Sequence, residues 1–325
     1  MISADYPSAQ LFIAREGEKK RLKTIGRTAG LCIIAYVAVQ NIMPVFLFIP
    51  SLGEAYRSNG AFTYLYTIFA SVLSILVPFA IGGSYLKKRT GADTAPLEAP
   101  YGGISALFVA AAGMIVCLIG NYISGWIVSL AGYAGIDFSS PDLPVPSDAA
   151  GRLMFVLAVA VVPPLCEEIA VRGTIMQPLR RYGDVYAIVI SSVFFGILHG
   201  NLVQAPFAFI AGLAFGYAVC ATGSLWTGIL IHFLNNMYSC ILAFAMEDLG
   251  EKAYTKIYVA SIFLVCFIGG ICAVIYIFRS KKLPMRKYSG MLTSGEKSTA
   301  FFVNIPMLIA IAFMIFITAQ FISRS

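Results

Sequence analysis

Long apolar runs alternate with short polar, basic or proline-containing segments along most of the chain. The pattern predicts membrane-spanning helices at about 29–51, 61–86, 103–132, 152–179, 185–200, 202–222, 224–246, 255–278 and 299–322. Most of these runs approach or exceed the ~20 residues that cross about 30 Å of hydrocarbon at 1.5 Å per residue. The fold class is therefore all-α, a polytopic transmembrane helical bundle of eight to nine spans. The runs 185–200 and 202–222 meet at Gly200 and Asn201, so one of them reads as a hairpin arm or a partly re-entrant segment buried in protein. The stretch 136–149, with three prolines, reads as an extended connection outside the membrane.

Composition agrees with that pattern. Of 325 residues 59% are hydrophobic and 12% charged, where a soluble domain carries about a quarter charged residues. This excludes a pair of soluble domains, a disordered chain and a secreted disulfide scaffold. The seven cysteines are odd in number, lie inside apolar runs and form no CxxC pair. They read as small buried hydrophobes with neither a disulfide framework nor a thiolate zinc site.

The net charge of +7 could suggest nucleic acid, but the positions of the charges point elsewhere. Basic residues cluster at Arg15–Arg27, Lys87–Arg89, Arg180–Arg181 and Arg279–Lys287, each between apolar runs. Alternating spans put all four clusters on one side, the pattern of the positive-inside rule. Asp137, Asp142 and Asp148, with Glu247, Asp248 and Glu251, then fall on the other side. The expected location is a bacterial cytoplasmic membrane with a cytoplasmic N-terminus and no nucleic-acid partner. Residues 1–28 show no cleavable signal peptide and read as a basic cytoplasmic segment. The remaining divisions are 29–149, three spans and the Pro-rich loop; 150–246, the part that carries the chemistry; and 247–325, the last spans with their basic loop.

Charges at bilayer depth cost a few kcal/mol each, so they need a reason. One cluster lies well inside a span: Glu167, Glu168 and Arg172. The chain has two histidines, His199 and His232, and both also fall within spans. Glu168 and Arg172 are four apart and can pair on one helix face. Glu167 is rotated by ~100° and free to face elsewhere. Pro163 and Pro164 should free backbone groups close to the carboxylates. Phe195 sits one turn before His199, and Asn236 one turn after His232. His232 and Asn236 can point two donors at one oxygen, while Asn235 reads as interhelical glue. Gln40, Asn41, Asn121, Gln204 and Asn304 read as packing residues, as do Gly212 and Gly216 in a GxxxG.

A carboxylate and a histidine sharing a water can make it a nucleophile, with a His/Asn pair on the oxyanion, which is acyl hydrolysis inside or beside the membrane. Glu167, His199 and His232 could instead hold a divalent metal such as zinc, and the residue types leave both versions open. There is no HExxH and no GxSG, and the lone Gly183–Asp184 has no second intramembrane Asp to form a dyad.

Three ordered motifs, Glu167-Glu168-x-x-x-Arg172, Phe195-x-x-x-His199 and His232-x-x-x-Asn236, resemble those of the CPBP family, with the lead-in TGSLWTGILIHFLNN before the last. This is the CAAX protease and bacteriocin-processing (Abi) family of intramembrane endopeptidases. The resemblance covers about residues 150–245. It implies that Glu167 and His199 activate the attacking water, that His232 and Asn236 bind the oxyanion, and that Glu168 and Arg172 shape the site. Family members are described both as metalloproteases and as metal-free, glutamate-dependent enzymes. The implied substrate is a membrane-associated protein or peptide, with bacteriocin-leader processing, self-immunity or cleavage of a membrane regulator all open. Two readings from other classes stand beside it: a non-catalytic membrane binder or immunity factor, and an ion-coupled transporter using the same charges.

Overall fold

The computed structural model describes residues 6–141 and 143–324; Asp142 and residues 1–5 of the basic segment lie outside the described residues. The first helix, α1 (Tyr6–Ile42), carries the basic segment directly into the first apolar run. A 3₁₀ turn leads to α2 (Pro50–Ser58), α3 (Gly60–Ser71), a π-helical turn (Val72–Leu76) and α4 (Val77–Thr90). Then come α5 (Ser105–Tyr133) and a short strand, β1 (Ile136–Phe138). The next apolar run is built from α6 (Ala149–Val156), a π turn (Leu157–Val161), α7 (Val162–Glu168), a longer π segment (Ile169–Met176) and α8 (Gln177–Leu179). A hairpin of α9 (Asp184–Leu198) and α10 (Ala205–Thr222) precedes α11 (Leu225–Arg279). The chain closes with α12 (Ser294–Phe302), α13 (Ile305–Ala319) and β2 (Ile322–Arg324).

Helices dominate because an apolar run in hydrocarbon must satisfy its backbone hydrogen bonds internally. Large side chains point outward where a soluble protein would hide them: Trp126 is 70% exposed, Phe263 72% and Phe278 80%. The chain is a polytopic membrane protein. Its main core gathers side chains from α1, α4, α5, the 169–176 segment and α9 to α13, with Phe79, Arg172, Phe194, Phe195 and Phe215 almost fully buried. A second cluster joins Tyr64, Phe155 and Cys240.

Six helical stretches among the described residues are long and apolar enough to cross a membrane, seven if α12 and α13 count as one. The eight to nine expected are not matched by that number, which takes α11 as one stretch and leaves out α9. The spans placed at 224–246 and 255–278 run together as α11, whose 55 residues would reach about 80 Å if straight. Gly250 breaks that helix at φ 74°, ψ 174°, a backbone that favours glycine. Helix α9, at 15 residues, reaches only about 22 Å, and α12 and α13 are bent by 80° at their junction.

All four basic clusters gather at one end of the bundle. Tyr182 Oη and Tyr288 Oη donate to Glu18, Tyr101 N to Thr222 O, Leu283 N to Ala221 O and Lys281 N to Ser105 Oγ. At the other end Arg152 pairs with Asp248. There β1 also pairs antiparallel with β2, Asp137 opposite Ser323. The last helix is thus tied to the loop after α5, which requires an even number of crossings between them.

Arg180 and Asp184 flank the connection between α8 and α9, where a loop was expected. The pair is buried, Nε to Oδ1 2.7 Å, and Asp184 Oδ2 accepts from Arg286 N at 2.8 Å. Asp184 is structural: it locks the start of α9 to the loop before α12. The interior charges therefore number more than Glu167, Glu168 and Arg172.

Candidate active site

Helix α7 lies between two π segments, and its start is set by Pro163 and Pro164. Neither proline has an N–H. Val159 O would receive its α bond from residue 163 and its π bond from residue 164, so it alone loses both helical donors. Asn236 Nδ2, from α11, donates to it at 2.9 Å. The prolines free a backbone group as expected, and the freed group anchors a site residue.

The ~100° between Glu167 and Glu168 separates their surroundings. Glu168 points inward and is fully buried; its Oε1 accepts from Arg172 Nη1 at 2.9 Å and faces His232 Nδ1 at 3.2 Å. Arg172 Nη2 donates to Gly212 O at 3.1 Å, and the guanidinium lies 4.4 Å from the Phe195 ring centroid and 5.2 Å from that of Phe215. A buried cation stacked on two aromatic faces is held where Lys would not fit as well. Gly212 is part of this arrangement, because a Cβ there would lie 2.9 Å from Arg172 Nη2. It does more than pack helices.

Glu167 turns the other way. Its side chain is 20% exposed, and its Oε2 lies 3.9 Å from His232 Nε2 and has no hydrogen-bond partner among the described residues. With His199, Tyr36, Ile75, Phe79, Leu198 and Gln204 it lines a cavity of about 170 Å³. His199 ends α9, and its Nδ1 is 2.7 Å from Phe195 O. A carbonyl only accepts, so Nδ1 carries the proton and Nε2 of the neutral ring keeps its lone pair. Asn201 Nδ2 donates to His199 O at 2.9 Å and so fixes the turn that presents this histidine.

Phe195 connects the two histidines, its ring centroid 4.9 Å from His199 and 5.5 Å from His232, edge-on to each. Phe215 stacks on His232 at 5.1 Å. Asn235 is buried and donates to Asn236 Oδ1 at 3.2 Å. The structure thus brings Glu167, Glu168, Arg172, Phe195, His199, His232 and Asn236 into one connected set. Asn236 sits at its edge, with one amide hydrogen given to Val159.

Tyr36, Phe215 and Val159 were not singled out in the sequence, and Gln204 and Gly212 were read as packing. Tyr36 comes from α1, far from the motifs, and no local signal marks it. Phe215 does carry a signal, since it sits three residues after Gly212 on the helix that faces Arg172.

Among the described residues no three His, Cys, Asp or Glu side chains come close enough to hold one metal ion. His232 meets a carboxylate at each ring nitrogen, and His199 Nδ1 is engaged by the backbone. The possible Glu167–His199–His232 metal set is not among the groups close enough to hold an ion, and no step below uses a metal.

Residues 149–238 match the family model described as "Type II CAAX prenyl endopeptidase Rce1-like". A protein of Bacillus subtilis (strain 168) named "Putative membrane peptidase YdiL" is 28% identical over 141 residues, 43% of this chain. The chain covers 57% of that relative's length. No solved structure matches it. The matched stretch holds both glutamates, both histidines and Asn236 in the order already seen at the site. Residues 149–238 are thus similar to the type II CAAX prenyl endopeptidases.

Proposed function

We propose that this protein is an intramembrane endopeptidase that hydrolyses a peptide bond of a membrane-associated protein or peptide. The observation that carries the reading is the shared cavity. The Glu167 carboxylate and an imidazole whose Nδ1 is already engaged line the same 170 Å³ space. That is the arrangement general base catalysis needs, two acceptors able to share one water.

In this mechanism a water in the cavity gives a proton to the Glu167 carboxylate while His199 Nε2 orients it. Its oxygen bonds to the carbonyl carbon, and the carbonyl π electrons move onto oxygen. His232 Nε2, bearing a proton, and the second amide hydrogen of Asn236 stabilise that oxyanion. As the C–N bond breaks, the proton held by Glu167 passes to the leaving amine, and carboxylic acid and amine products separate. Glu168 and Arg172 keep His232 in place and touch no reacting atom.

The four basic clusters at one end support a cytoplasmic N-terminus in a bacterial membrane. The test compares peptide maps of membranes from cells with wild type, Glu167→Gln or no protein. New protein termini only with wild type are expected. Identical termini in all three, with the phenotype rescued by Glu167→Gln, would instead identify a binder.

A further inference from the structure

A second cavity, of about 650 Å³, runs between α1 and α4 and belongs to none of the chemistry above. Leu31, Ala35, Val77 and Ile81 line its apolar length, with Arg27 and Tyr85 at the end nearest the basic clusters. Leu31 is 57% exposed and Ile81 67%, so the groove opens sideways into hydrocarbon. Gly82 sets its floor: a Cβ there would lie 2.6 Å from Cys32 Sγ, so only glycine lets the two helices approach this closely.

The polar end is strongly one-sided. Arg27 lines the groove, and the Arg89 guanidinium lies 5.4 Å from the ring centroid of the lining Tyr85. Among the described residues neither arginine has a carboxylate within 4.0 Å. Both stand where an apolar run begins or ends, at headgroup level of a bilayer. From Arg27 to Ala35 the groove follows about 12 Å of helix, enough for the upper part of an acyl chain beneath a headgroup.

We propose that the α1–α4 groove is a binding site for an anionic phospholipid. One acyl chain lies along Leu31, Ala35, Val77 and Ile81, and the phosphodiester rests between Arg27 and Arg89. A volume of this size is ordinary for a small-molecule site. Two unpaired guanidinium groups favour an anionic headgroup over a zwitterionic one.

The test is native mass spectrometry of the purified full chain titrated with phosphatidylglycerol or phosphatidylcholine, with inorganic phosphate as a competitor. Wild type should bind phosphatidylglycerol at least tenfold more tightly than phosphatidylcholine, and inorganic phosphate should not displace it. Arg27→Ala should weaken phosphatidylglycerol about fivefold, and Arg27→Ala with Arg89→Ala by roughly twenty-fivefold. Lys281→Ala, at the same end of the bundle, should leave binding unchanged. Ala35→Phe fills the apolar part and should weaken both lipids while the lipid-free unfolding midpoint stays near wild type. If Ala35→Phe does not fold, the arginine variants still decide. Equal binding of the two lipids, unchanged affinity in the double arginine variant, or displacement by inorganic phosphate would overturn the proposal.

Discussion

The carboxamide of Asn236 donates to the carbonyl of Val159 at 2.9 Å, the acceptor that Pro163 and Pro164 together leave without a helical donor. The bond links the two halves of the site, because Val159 lies about two turns before the glutamates and Asn236 one turn after His232. Asn236→Ala removes the only side-chain donor to that carbonyl. An unpaired buried carbonyl costs about 1–3 kcal/mol, so the unfolding midpoint in detergent should fall measurably. Asn236→Asp, which keeps the shape but removes the N–H, should fall at least as far.

Pro163→Ala restores an N–H opposite Val159 O and should pull that carbonyl back into the helix ladder. Asn236 then loses its anchor while the helix gains a bond. The expected outcome is unchanged or higher thermal stability together with slower appearance of wild-type-specific termini. Quantitative peptide mapping alongside thermal unfolding checks it.

Arg172 and Glu168 are fully buried, and removing one partner of such a pair costs about 3–5 kcal/mol. Arg172→Met should therefore reduce the folded yield sharply. Adding Glu168→Gln removes the stranded charge and should recover a large part of that loss. A double-mutant cycle on unfolding midpoints measures the coupling. By contrast the exposed pair Arg152–Asp248 should contribute at most about 1 kcal/mol and weaken with salt.

Gly212→Ala and Gly216→Ala separate site from packing. A Cβ at 212 would meet Arg172 Nη2 at 2.9 Å and Ser192 Cβ at 3.1 Å, whereas one at 216 would meet Ile188 at 3.2 Å. Overpacking of this kind costs about 1–3 kcal/mol. Gly212→Ala should displace the guanidinium and slow cleavage more than it lowers stability. Gly216→Ala should lower stability without a selective loss of activity.

The motif residues were legible in the sequence because charges and histidines are rare in apolar runs and each must be explained. Their spacing correctly separated Glu167 from Glu168, and the paired prolines announced a freed carbonyl. The cavity wall was not legible. Tyr36 reaches the site because α1 packs along α4 and the π turn before it, which no periodicity encodes. Gly183–Asp184 after two arginines has the local signature of a loop, which hides that Asp184 is buried. Its burial depends on Arg180 four residues earlier and on the backbone of Arg286, about a hundred residues later. Whether two apolar runs join across a break such as Gly250 is likewise set by tertiary packing, which the hydrophobic pattern does not encode.

The central claim is that Glu167 is the base that activates water. The most direct measurement is the rate at which purified wild type and Glu167→Gln produce the termini found only with wild type, paired with their unfolding midpoints. Losing a general base slows a reaction about 10²–10⁴-fold. Glu167 Oε2 has no protein partner, so Glu167→Gln should lose activity to that extent with an unfolding midpoint close to wild type. A Glu167→Gln protein that cleaves within tenfold of the wild-type rate would contradict the account.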